Sequence, residues 1–66
     1  MKVSQQGLRK RDVRIGVVYA AKVSGNLCTI RINSAMMAGG WLATNLNTSR
    51  LVRIRGARRL REILEP

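Results

Sequence analysis

The chain has 66 residues, with thirteen Lys or Arg against three Asp or Glu and a formal net charge of +10 at neutral pH. A chain this short buries only about 60% of its unfolded-state surface, which allows one domain around one small core and no enclosed active-site cavity. With one cysteine and no histidine, neither an internal disulfide framework nor a zinc site of the usual Cys/His kind can be built, so no metal or other cofactor is expected.

Residues 1–11, MKVSQQGLRKR, are polar and basic, with Val3 and Leu8 as the apolar exceptions. They are expected to form a flexible basic arm ahead of a domain over residues 12–66. The segment lacks the apolar block of a signal peptide, and Met1 is followed by Lys2, not by the Gly that myristoylation needs. No apolar run approaches the roughly 20 residues of a spanning helix. A cytoplasmic, reducing compartment is therefore expected, with no membrane partner.

From Asp12 the texture changes. VRIGVVYAAKV is rich in Val and Ile and carries the period-two rows Val13, Ile15, Val17, Tyr19 and Arg14, Gly16, Val18, Ala20, which read as a strand. Ser24–Asn26 is a turn signal, and LCTIRI then alternates Cys28, Ile30, Ile32 against Leu27, Thr29, Arg31, completing a β-hairpin. Asn33–Gly40, NSAMMAGG, reads as a loop whose Met36 and Met37 tuck over the end of the domain, the other reading being a small apolar patch. WLATNL places Trp41, Ala43 and Asn45 on one face, and NTS supplies turn chemistry before LVRIR, a second hairpin. In its return strand Val52 and Ile54 face inward, so Arg53 and Arg55 face outward together. Gly56 ends that strand. ARRLREILE then fits either a short helix or one 3₁₀ turn followed by a last strand, and the second is preferred because it closes a barrel and removes open sheet edges.

The expected fold is thus all-β: a small five-stranded barrel with a 3₁₀ or helical turn near the C-terminus. The order strand, turn, strand, loop, GGWLATNLNTSR hairpin, VRI strand and GARRL turn resembles the SH3-like small barrels of Tudor and KOW type. It is also similar to short bacterial proteins carrying KVSG, GGW, ATNL and RRLR-like segments, a resemblance that implies no activity. The methyl-lysine reading found among Tudor-like domains is not implied, because it needs an aromatic cage and this chain offers only Tyr19 and Trp41.

The stretch RIRGARRLR packs Arg53, Arg55, Arg58, Arg59 and Arg61 into nine residues without an acid. Guanidinium forks match phosphate oxygens, and successive outward residues of a strand lie about 7 Å apart, close to the spacing of phosphates along one strand of nucleic acid. Arg50, Arg31, Lys22 and Arg14 extend this candidate surface, and Arg9, Lys10 and Arg11 add a mobile grip. The expectation is a non-enzymatic protein that binds DNA or RNA through backbone phosphates with little base specificity. Trp41 is expected in the core, its alternative being a stacking platform beside Gly39 and Gly40. Cys28 falls on the inward row as an inert core residue. No paired carboxylates outside Glu62 and Glu65 and no phosphate-cradling glycine loop support catalysis. The competing reading is a protein-interaction module whose Met36–Trp41 region takes an acidic partner or peptide. A core this small also leaves a homodimer open.

Overall fold

The computed structural model describes residues 1–65. They form seven strands and two 3₁₀ turns, without an α-helix among the described residues. The strands are β1 (Lys2–Val3), β2 (Val18–Val23), β3 (Asn26–Ala35), β4 (Trp41–Asn45), β5 (Arg50–Ile54), β6 (Leu60–Arg61) and β7 (Ile63–Glu65). Five of them make one antiparallel sheet in the order β5-β4-β3-β2-β6, and β1 pairs with β7 in a second, two-stranded sheet. No helix is long and apolar enough to cross a membrane among the described residues.

The alternation in the sequence sets the core. Tyr19 and Ala21 of β2, Cys28, Ile30 and Ile32 of β3, Trp41 and Ala43 of β4 and Ile54 of β5 all point to one interior, which Ala57 and Leu60 complete. Leu8, Val13, Val23 and Val52 pack against its margin. The β2–β3 hairpin turns through Ser24 and Gly25, with Val23 opposite Asn26. At the β4–β5 turn the buried Asn45 holds the chain: its carbonyl accepts from Thr48 and Ser49 N–H, and its side-chain oxygen accepts from Asn47 N–H at 2.9 Å. An inward polar residue is thereby satisfied.

Three expectations are corrected. The strand read from Val13 begins at Val18, because Gly16 adopts φ +85° and residues 14–17 close a turn, with Val17 N–H donating to the Arg14 carbonyl. The Tyr19 hydroxyl fixes this turn by accepting from Arg14 N–H at 3.0 Å and donating to the Asp12 carbonyl at 3.1 Å. Ile15 and Val17 consequently lie on the surface. Next, the loop read over Asn33–Gly40 is shorter. A bulge at Asn33, whose side-chain amide donates to Thr44 Oγ1 at 2.8 Å, lets β3 continue to Ala35 opposite Trp41. Met36 N–H then donates to the Gly40 carbonyl, leaving Met36 half-buried and Met37 fully exposed instead of tucked.

The third concerns residues 1–11, expected as a flexible arm. They are tied along the C-terminal segment: Lys2 pairs with Glu65 and Val3 with Ile63, Ser4 N–H donates to the Glu62 carbonyl at 2.9 Å, and Leu8 N–H to the Leu60 carbonyl at 3.1 Å. Gly7 permits this approach through its size. A Cβ there would lie 2.5 Å from the Arg58 carbonyl oxygen and 2.9 Å from Arg58 Cα. The segment ends in a 3₁₀ turn, Lys10–Asp12, where the Asp12 carboxylate accepts from Arg9 N–H.

The expected 3₁₀ turn near the C-terminus is present at Ala57–Arg59. The strand after it is divided: β6 pairs with β2, Leu60 opposite Ala21 and Arg61 opposite Ala20, while β7 leaves the main sheet for β1. Ala20, on the outward row of β2, is fully buried, and Met1 reaches Thr29, which lies opposite Ala20 on β3.

Candidate functional site

Arg53 and Arg55 are outward and exposed, as the alternation of β5 requires, and they flank the Met36–Gly39 turn in a shallow concavity. Arg55 also lines a second groove, shared with Arg58, Arg9 and Lys10, whose walls are Leu8, the Gly39–Gly40 backbone and Trp41. Arg58 in turn belongs to a third concavity, with Arg59, Arg61 and Lys22, walled by Val3, Ser4, Gln5 and Leu27. Two shared arginines therefore join three concavities into one cationic track with eight basic side chains.

Local geometry holds parts of this track in place. The 3₁₀ turn sets Arg58 and Arg59 on its exposed side while Ala57 and Leu60 anchor it in the core. Arg59 Nη2 donates to the Lys22 carbonyl at 3.2 Å, and Arg61 Nη1 donates to the carbonyls of Arg58 and Leu60, the latter at 3.2 Å. A guanidinium tethered to a carbonyl keeps further N–H donors for a ligand.

Of the remaining cations of the sequence reading, Arg50 adjoins the track: it lines a further groove with Arg53, between the β2–β3 and β4–β5 turns. The others lie apart. Arg31 stands on the outward face of β3 between Val18 and Thr44. Arg14 shares a separate concavity with Asp12 and Glu62, two of the three acids. Arg11 is exposed on the first 3₁₀ turn. Asp12 and Glu62 thus border a concavity other than the three of the track, although the Asp12 carboxylate also accepts from the backbone N–H of Arg9, a track residue.

Trp41 is 7% exposed and Tyr19 is buried. With so little of either residue exposed, a base finds little aromatic surface to stack on. The sequence reading missed Val3, Ser4 and Gln5 as walls of the site. The signal for them was Gly7, a glycine in a basic segment whose absent side chain brings the first residues of the chain against Arg58. Cys28 is buried in the core, its thiol near the Asn26 carbonyl.

Compared with family models, curated proteins and solved structures, the chain matches none.

Proposed function

We propose that this protein is a small SH3-like β-barrel that binds nucleic acid through its phosphate backbone, without base readout, as a non-enzymatic accessory to DNA or RNA metabolism in the cytoplasm. The barrel reading is supported by the strand order β5-β4-β3-β2-β6 and the 3₁₀ turn between β5 and β6, which leads β6 back onto β2. The observation that carries the functional reading is the continuity of the cationic track through Arg55 and Arg58.

A net charge of +10 on a domain measuring 31 × 25 × 21 Å repels itself, and a polyanion relieves that repulsion. Release of condensed counterions supplies the binding free energy and makes it steeply salt-dependent. The buried aromatic rings favour a duplex or structured strand, whose ordered phosphates match a fixed set of cations, over a flexible single strand held by stacking. The test is a fluorescence-anisotropy titration against duplex DNA, single-stranded DNA and structured RNA at several salt concentrations. A log-log slope of about −4 or steeper on duplex, corresponding to some five phosphates, supports the reading. Negligible binding to all three near physiological salt overturns it and transfers the basic surface to an acidic protein partner.

A further inference from the structure

The concavity formed by Lys22, Arg58, Arg59 and Arg61 differs from the rest of the track in how it is built. Its cations come from two distant parts of the chain, the β2 strand and the segment from the second 3₁₀ turn into β6, and its far wall is the N-terminal segment Val3–Gln5. Val3 and Leu27 give it an apolar component. Two of its guanidiniums are held by backbone carbonyls, Arg59 by Lys22 and Arg61 by Arg58 and Leu60. Ser4 Oγ accepts from Gln6 N–H at 3.2 Å, which leaves its own hydroxyl proton available as a donor.

We infer that this cleft is a discrete phosphate-binding subsite, and that the N-terminal segment is a structural part of it. Tethered guanidiniums lose little conformational freedom when an oxyanion arrives, so their charge-assisted hydrogen bonds are formed at lower entropic cost than those of free surface arginines. Lys22 adds a point charge on a flexible stem. The chemistry selected is a phosphate group with more than one free oxygen, carried either by a nucleic-acid backbone or by a free phosphate or pyrophosphate. The inference deepens the nucleic-acid reading where the occupant is a backbone phosphate, and it stands without that reading where the occupant is a free anion.

The Gly7 contact makes the cleft dependent on the position of the first residues. A side chain there would press on Arg58 backbone and on Arg61 Nη1, at 2.9 Å from each of Arg58 Cα and Nη1. Because Arg58 and Arg61 are themselves cleft residues, any displacement of the segment alters the wall and the cations together.

The experiment is isothermal titration of the full chain with pyrophosphate at fixed ionic strength, alongside anisotropy with duplex DNA. The wild type is expected to give a saturable one-site isotherm. Arg59→Gln with Arg61→Gln is expected to lower pyrophosphate affinity by about 10-fold or more, as for loss of two charge-assisted contacts. Lys22→Gln, which changes an exposed side chain and keeps the backbone contacts of β2, is expected to lower it by about 3-fold and serves where the double variant fails to fold. Arg14→Gln with Arg31→Gln removes the same formal charge outside the track and is expected to leave the isotherm unchanged. Loss of both ligands in the cleft variants identifies a backbone phosphate as occupant, and loss of pyrophosphate alone identifies a free anion. No saturable uptake by the wild type, an equal loss in the Arg14/Arg31 variant, or an unchanged isotherm in folded cleft variants overturns the inference. Nucleic-acid binding that fails while pyrophosphate binding persists removes the proposed function and leaves the cleft.

Discussion

Arg59 Nη2 donates to the carbonyl of Lys22, 37 residues away, at 3.2 Å. That single bond joins the end of β2 to the turn preceding β6, and both side chains line the same concavity. No Asp or Glu is among the residues that line it, and Asp12 and Glu62 line a different concavity.

Arg53→Ala with Arg55→Ala removes the two outward cations of the β5 end without touching the core. Nucleic-acid affinity is expected to fall evenly across sequences, and the salt slope to flatten by about 2. Anisotropy on two unrelated duplexes, over a range of salt, checks both numbers. A fold-intact variant with unchanged affinity and slope eliminates the first part of the track.

Salt is expected to act in opposite directions on stability and on binding. Raising ionic strength screens the self-repulsion of a +10 chain and raises Tm, while it weakens the complex by opposing counterion release. Thermal melts of the free protein and titrations of the complex, across the same salt series, read the two trends. A Tm that falls with salt contradicts the electrostatic account of the free state.

Trp41 is the only tryptophan and lies in the core at 7% exposure. Trp41→Ala is expected to cost about 3–5 kcal/mol, enough to unfold much of a domain this small. Trp41→Phe keeps most of the volume, and duplex affinity is expected to stay within about 2-fold of wild type. A large loss of affinity in folded Trp41→Phe would instead show the indole in contact with the ligand.

Gly7→Ala introduces a methyl group against the Arg58 carbonyl, 2.5 Å from where the Cβ must lie. Destabilisation of about 1–3 kcal/mol is expected from the overpacking, accompanied by weaker hydrogen-exchange protection of the Ser4 and Leu8 amides, which donate to Glu62 and Leu60. An amide-exchange profile identical to wild type would mean that the segment tolerates the added bulk.

The four strands β2 to β5 were legible because their inward rows repeat every second residue and their turns carry Ser-Gly-Asn and Asn-Thr-Ser. Cys28, Ile30, Ile32, Trp41, Ala43 and Ile54 all lie where that period puts them. The period also misled: Val13, Ile15 and Val17 continue the row on paper, but Gly16 turns the backbone and the Tyr19 hydroxyl locks the turn. The β1–β7 pair was not legible. Lys2–Val3 and Ile63–Glu65 are too short to show a period, and a pairing across the whole chain has no local signature. For the site, the Arg53–Arg61 series was visible as a run, whereas the convergence of Arg9, Lys10 and Lys22 upon it depends on chain segments that meet only in the folded molecule. Arg14 and Arg31 belong to the same charge count and lie apart from the track.

Lys2 sits opposite Glu65 and Val3 opposite Ile63, so tension applied through the two ends of this segment pair peels β1 from β7 in zipper fashion, one rung at a time, while the main sheet is still unloaded. The wall formed by Val3, Ser4 and Gln5 is carried away with it. Under such a load the cleft opens with the β1–β7 pair. A bead, surface or bulky fusion attached at either end would therefore report first on the cleft, well before the five-stranded sheet gives way.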